Sequence, residues 1–173
     1  MVRVRIKVAA PIIGGTILAI LVCGPLSALA QIGDPPNGCP VTLPEHWPNK
    51  SMPWATKEGG DRGWYGGDNL AALLPVDGIW VGMGPEKNYR DKFWWWRSGY
   101  KAREEPQPDL SISAMRLDAP APPVEIEQAT NAYGPGWDSM LVGMEFPTGG
   151  CWEIRGTYNG AQQLIVVVFV KES

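Results

Sequence analysis

Residue types that usually carry enzyme chemistry are scarce in this sequence. Its 173 residues include one histidine and three cysteines, and 19% of them are charged. The lone His46 excludes a histidine-rich metal site and leaves a Ser–His–Asp triad with one possible base and no nucleophile motif. A formal charge of −3 lacks the basic footprint of a nucleic-acid binder. We therefore expect no metal, no cofactor and no nucleic-acid partner, and we interpret His46 as an ordinary surface or packing residue.

Phenylalanine is also scarce, whereas tryptophan is abundant. The chain has nine Trp against three Phe, together with 21 Gly and 17 Pro. Large rings of this kind either fill a small core or serve a binding surface. The length favours one domain with room for a proper core.

The first 30 residues have the pattern of an export signal. Basic residues at positions 3, 5 and 7 precede an uncharged run that ends in Ala28-Leu29-Ala30, a small-x-small site suited to signal peptidase. An uncleaved membrane anchor is the alternative, because the run approaches the roughly 20 residues that a spanning helix needs. We expect cleavage before Gln31 and a secreted, periplasmic or cell-envelope protein of a bacterium. Contact with a membrane would require the retained signal.

Two cysteines remain after that cleavage. Cys23 leaves with the signal, whereas Cys39 and Cys151 stay in the exported chain, where they most simply form one disulfide. Because the loop it closes spans most of the domain, the chain-entropy estimate of its stabilisation is about 4–5 kcal/mol. Two free thiols, or pairing between chains, are the alternatives.

The rest of the chain divides into two parts. Residues 31–61 are rich in proline and read as an extended lead-in segment, which Cys39 ties down. Residues 62–173 read as the folded domain. It starts with a glycine-dense loop, and Asp68 is then a plausible N-cap for one short helix over Asn69 to Leu74, stopped at Pro75.

Short strands separated by turn residues follow this helix, and the last hairpin has the clearest signal. Asn159-Gly160 is the preferred type I′ pair and is flanked by strand-forming residues. A two-residue turn places Ile154 opposite Ile165 and Trp152 opposite Val167.

The final strand, over Ala161–Val170, is apolar on both faces, so something must cover its second face. Cys151 lies on that second face. We therefore predict that the bridge to Cys39 draws the lead-in segment across it.

These short strands and closely spaced turns fit an all-β sandwich or a partly open barrel. The stretch Phe146–Ile154, with Asn159-Gly160 and Leu164–Val170, resembles the closing hairpin of bacterial immunoglobulin-like domains. More widely, the chain resembles small exported bacterial proteins of uncharacterised function. The stretches that carry this likeness are Trp64-Tyr65-Gly66, Leu73-Leu74-Pro75, Asp77-Gly78, Gly84-Pro85-Glu86, Asn88–Lys92, Trp94-Trp95-Trp96 and Gly150–Ile154. The resemblance implies export and a sandwich fold, but no activity. Together with the short helix and the proline-rich segment read from the residues, it leads us to predict an immunoglobulin-like β-sandwich with one short helix and an extended proline-rich N-terminal segment.

Aromatic residues supply the candidate ligand contacts. In a strand, Trp94 and Trp96 point to one face and Trp95 to the other. Trp94 and Trp96 could therefore stack on sugar rings, and Arg90, Asp91 or Arg97 could supply hydrogen bonds. The alternative is that one face is core and the lead-in segment covers the other.

Three further aromatic residues are predicted to lie in glycine-containing loops. Trp64 and Tyr65 are ligand candidates by their position in the glycine-rich loop, unless their rings fasten that loop to the core. Trp137 also falls in a glycine-containing loop, where filling a core is not the obvious reason for a large ring.

Carboxylates give little support to catalysis. Glu104-Glu105 lies in a charged loop and is expected to be solvated, and Glu153 is expected to pair with Arg155. We therefore predict a non-catalytic binding or structural interaction module of the bacterial envelope, whose partner is an envelope protein or a glycan. A carbohydrate-binding module is the first alternative, and a glycoside hydrolase with paired carboxylates is the second.

Overall fold

The structure is a computed structural model that describes residues 38–44, 61–81 and 89–171. The predicted signal peptide, most of the proline-rich lead-in segment and His46 lie outside the described residues. Ten strands follow one another along the described chain, with no helix between them. They are β1 Arg62–Gly67, β2 Leu70–Pro75, β3 Ile79–Trp80, β4 Tyr89–Trp96, β5 Leu110–Arg116, β6 Glu125–Ile126, β7 Thr130–Gly134, β8 Trp137–Phe146, β9 Gly150–Tyr158 and β10 Gln162–Val170.

These strands form two sheets that enclose one core. The first sheet has the order β1-β2-β4-β8-β6, with β7 also paired to β8, and the second has the order β3-β10-β9-β5. All pairs are antiparallel except β3 with β10. Trp80 bridges the sheets, because its ring meets Phe93 at 4.4 Å and Phe146 at 5.2 Å, both edge to face. The predicted all-β sandwich is confirmed.

The predicted short helix is wrong. Residues Leu70–Pro75 form strand β2, and Asp68-Asn69 is the two-residue turn that joins it to β1. Leucine and alanine favour helix locally, but this run is apolar on both faces and pairs with β1 on one side and β4 on the other. Such a short apolar run cannot be assigned from periodicity, so tertiary pairing overrides its helix propensity.

The closing hairpin turns at the predicted residues, but the predicted register is wrong by one residue. Asn159 and Gly160 both have positive φ, 49° and 66°. Ala161 then enters as an extra residue, so that Tyr158 faces Gln162 and Trp152 faces Val168. The shift turns Val166, Val168 and Val170 into the core, and it places Ile165, Val167 and Phe169 on the outer face.

A disulfide joins Cys39 to Cys151, as predicted. Residues 38–44 lie along β10, where the Thr42 amide donates to the Val167 carbonyl at 2.9 Å and the Val167 amide donates to Thr42 Oγ1 at 2.9 Å. Val41 packs with Phe169 and Val167 against the two sulfurs. The described part of the lead-in segment therefore runs along the edge of the last strand and covers its outer face at Val167 and Phe169, whereas Ile165 on the same face stays 45% exposed.

Candidate functional site

Strand register places the tryptophans of the first sheet on opposite faces. Trp94 pairs with Leu73 on one side and Leu141 on the other, and Leu73 in turn pairs with Trp64. This row points away from the core. Trp95 belongs to the next row and is fully buried between the sheets. The predicted alternation of Trp94 and Trp96 against Trp95 is confirmed.

The outward tryptophans do not make a flat platform. Trp64 is 5% exposed and Trp96 is 6% exposed, and both pack with Ala71 and Leu73. Trp94 meets Trp137 edge to face, with 88° between the ring planes. Stacking on a sugar needs an accessible ring face, which these contacts do not give at Trp64 or Trp96.

A solvent-open cavity of about 540 Å³ lies beside this cluster, at one end of the sandwich. It is formed by the end of β4, by the connection from β4 to β5 and by the hairpin of β7 and β8. Its lining combines four aromatic rings with two cations and two carboxylates. The residues are Trp96, Ser98, Gly99, Tyr100, Lys101, Arg103, Glu104, Tyr133, Gly134, Gly136, Trp137 and Asp138.

The β7–β8 hairpin positions two of these rings. Tyr133 pairs with Asp138 and Gly134 with Trp137. The Trp137 ring lies so close over Gly134 that an added Cβ would come within 2.5 Å of the indole, so only glycine fits there. Tyr133 is 50% exposed, and the Arg103 guanidinium carbon lies 5.1 Å from the centre of its ring.

The β4–β5 connection, which forms the other wall, is anchored to both sheets. Tyr158 Oη of the second sheet donates to Glu105 Oε2 at 2.5 Å, and the Asp109 amide donates to Glu105 Oε1 at 3.2 Å. On the first sheet, Asn131 Nδ2 donates to the Ala102 carbonyl at 2.6 Å. The expectation that Glu105 is solvated is therefore wrong, because its carboxylate is part-buried and hydrogen-bonded.

Glu104 behaves as predicted for an exposed charged loop, since its carboxylate is 70% exposed and pairs with Lys101 Nζ at 2.9 Å. The predicted pair of Glu153 with Arg155 also forms, at 3.1 Å.

Glu105→Ala should lower the free energy of unfolding by about 1–3 kcal/mol, because it leaves the Tyr158 hydroxyl in the interior without its acceptor. Glu104→Ala is the matched control, and we expect it to change stability much less, because solvent screens its exposed pair with Lys101. Urea unfolding of both variants measures the difference. Equal effects at the two positions would contradict the anchoring role of Glu105.

Burial raises the pKa of the tyrosine hydroxyls beside this wall. It raises the pKa of Tyr100, and the nearby Glu105 carboxylate adds to the rise. It raises the pKa of Tyr158, where the hydrogen bond to Glu105 acts in the same direction. Tyr65 of β1, which does not line the cavity, also has a raised pKa, because it is buried and lies near the negative charge of Asp77. In all three, burial raises the pKa because it disfavours the charged phenolate.

This burial predicts a loss of stability in alkali. A tyrosine whose pKa is higher in the folded state contributes stability that is complete below its unfolded pKa of about 10 and is lost as the pH rises above it. The free energy of unfolding should therefore fall above about pH 10. Urea unfolding across this range measures the slope, and Tyr158→Phe should make it shallower. An identical slope in that variant would contradict the prediction.

The structure brings only one of the predicted ligand residues to the cavity. Trp96 lines it, whereas Trp64, Tyr65 and Trp94 do not. Trp64 and Tyr65 lie in strand β1, so their predicted loop position is wrong. Arg90 lies at a separate depression of about 190 Å³ and pairs with Glu127 there.

Sequence reasoning missed Arg103, Tyr133 and Asp138 as site residues. Only Trp137, beside the turn Gly134-Pro135-Gly136, carried a usable signal, because a large ring in a glycine-containing turn has no obvious place in a core. The other three come from segments without a motif, and only the fold brings them together.

Within residues 38–44, 61–81 and 89–171, no three histidine, cysteine or acidic side chains are grouped so that they could hold a metal ion. The same described ranges contain no helix long and apolar enough to cross a membrane. The buried disulfide is compatible with an oxidising compartment. Comparison with known proteins finds no matching family model, no matching curated protein and no matching solved structure.

Proposed function

We propose that this protein is an exported, non-catalytic binding module of the bacterial envelope and that the cavity at the end of its sandwich is the binding surface. The observation that carries the proposal is the cavity itself, where exposed Tyr133 and half-buried Trp137 stand among charged side chains. Binding residues concentrate in connections that a rigid scaffold positions. Here the scaffold is the sandwich, and Glu105 fixes the connection that bears Arg103.

Export is supported by the sequence pattern of residues 1–30 and by the disulfide between Cys39 and Cys151. Expression of the full chain in a bacterial host, followed by N-terminal sequencing of the exported protein, tests this part. We expect an N-terminus at Gln31. A chain that keeps Met1 and stays with the cytoplasmic fraction would contradict export.

Binding is tested by sedimentation of the protein with insoluble bacterial envelope material. We expect the wild type to sediment with it and the double variant Tyr133→Ala/Arg103→Ala to stay in the supernatant. Ile165→Ala is the matched control, because Ile165 is 45% exposed but lies on the outer face of the other sheet.

Two results would contradict this function. One is equal sedimentation of the wild type and the cavity variant, which would show that the cavity is not the binding surface. The other is release of soluble sugar from the envelope material during the incubation, which would favour the hydrolase alternative.

A further inference from the structure

The cavity also indicates the class of its ligand, and this step rests on the proposed binding function. We infer that the ligand is a segment of an uncharged glycan, held between the Tyr133 ring of the β7–β8 hairpin and the charged side chains of the β4–β5 connection.

Aromatic rings give the first reason. Tyr133 and Trp137 flank one tight turn and both line the cavity, but their side chains leave opposite faces of the hairpin, because Tyr133 pairs with Asp138 and Trp137 with Gly134. Trp137 packs against Trp94, whereas Tyr133 is 50% exposed and has the Arg103 guanidinium over one face of its ring. Tyr133 is therefore the ring that a ligand would meet. The face of an aromatic ring carries negative potential. The C–H groups on one face of a sugar ring are weakly positive and apolar, so a sugar can lie on such a ring without losing its outward hydroxyl contacts to water.

The charges of the lining give the second reason. Lys101, Arg103 and Glu104 of the β4–β5 connection and Asp138 of β8 line the same cavity, so the formal charge of the lining cancels. Lys101 and Glu104 pair with each other on one wall. A site for phosphate or for an acidic polymer would carry an excess of cations. Guanidinium and ammonium groups donate hydrogen bonds whereas carboxylates accept them, and a sugar hydroxyl needs both kinds of partner.

The shape gives the third reason. A volume of about 540 Å³ lies within the range of about 300–1,000 Å³ that small-molecule sites occupy. The cavity is open to solvent rather than enclosed. An open depression accepts an internal segment of a chain, whose ends continue into water, as well as a short oligosaccharide.

The ring and the charges can be tested separately. The probes are soluble cello-, chito- and malto-oligosaccharides as uncharged glycans and oligogalacturonate as an acidic one, titrated into residues 31–173 by calorimetry. We expect binding of at least one uncharged series. Tyr133→Ala should weaken it by roughly tenfold or more, whereas Tyr133→Phe should preserve it, because the phenyl ring keeps the stacking face.

Salt dependence distinguishes the ligand class. Binding of an uncharged glycan should change little between low and high salt, because no ionic attraction is screened. A preference for oligogalacturonate that disappears at high salt would overturn the inference.

Treatment of the envelope material separates this inference from the proposed function. Destruction of the glycan that the calorimetry identifies should abolish sedimentation of the protein. Periodate does this for cello- or malto-type chains, whose residues carry vicinal diols, and chitinase does it for chito-type chains, whose internal residues do not. Proteinase treatment of the envelope material should leave sedimentation unchanged. If proteinase abolishes sedimentation while the cavity variant still fails to bind, the binding function stands and the glycan is wrong. If untreated envelope material does not bind the wild type, both are wrong.

Discussion

Trp95→Ala should lower the free energy of unfolding by about 3–5 kcal/mol, the cost of removing a fully buried large aromatic side chain. Trp95 lies in the core between the sheets, and its ring reaches across to Gly156 of β9. Its Nε1 has no hydrogen-bond partner among the described residues, so the loss is one of packing. Trp94→Ala, at the half-buried neighbour on the outer face, should cost much less. Urea unfolding of the two variants gives the comparison.

A second variant makes the packing claim testable even if Trp95→Ala does not fold. A Cβ at Gly156 would lie 2.3 Å from Cζ3 of the Trp95 indole, so Gly156→Ala should cost about 1–3 kcal/mol through overpacking. In a Trp95→Phe background the smaller ring makes room, and the same substitution should cost less. Additive effects in this double-mutant cycle would contradict the close packing of the two residues.

Removal of the disulfide is expected to have an effect of similar size. Cys39→Ala/Cys151→Ala should lower the free energy of unfolding by about 2–5 kcal/mol, because the bridge closes a loop with a sequence separation of 112 residues. Both alanines avoid leaving a free thiol. In this variant the hydrogen bonds between Thr42 and Val167 would still connect the lead-in segment to β10, but without a covalent link.

Two measurements check the disulfide prediction. Urea unfolding gives the change in stability, and limited proteolysis reports cleavage near residues 38–44, which should become faster in the double alanine variant. Unreduced wild-type protein should show no labelled thiol after cleavage of the signal, and labelling of Cys39 or Cys151 would contradict the bridge. An unchanged unfolding midpoint in the double variant would contradict its stabilising role.

Patterns carried by a few neighbouring residues could be predicted from the sequence. Three such features are the strand alternation at Trp94, Trp95 and Trp96, the turn at Asn159-Gly160 and the pairing of Cys39 with Cys151. Each depends on local geometry or on chemistry. The all-β class followed from the sum of such local signals. Export itself stays a prediction from the first 30 residues.

Features that depend on distant pairing could not be predicted in this way. Leu70–Pro75 is a strand because β1 and β4 flank it, and nothing within the run records those neighbours. The register of the last hairpin changed through one extra residue, Ala161, which the turn signal does not reveal. Glu105 reads as a solvated charge until the fold places Tyr158 beside it.

The residues of the candidate site also depend on distant pairing and could not be predicted from local patterns. Arg103 and Tyr133 are separated along the chain, and neither belongs to a motif, yet their side chains meet at the cavity. The tryptophan excess drew attention to Trp64 and Trp96, which the structure buries on the outer face of the first sheet. The number of aromatic residues was therefore a weaker guide to the site than their position at the ends of strands.

Indole resonances provide the most direct test of binding at this cavity. Each of the nine tryptophans has an indole N–H, so a two-dimensional ¹H–¹⁵N spectrum can follow them all during titration with the oligosaccharide that binds most tightly. We expect the signals of Trp96 and Trp137 to shift and saturate together, while those of the buried Trp80, Trp95 and Trp152 stay in place. Saturating binding that leaves Trp96 and Trp137 unmoved would contradict the assignment of the binding surface to this cavity.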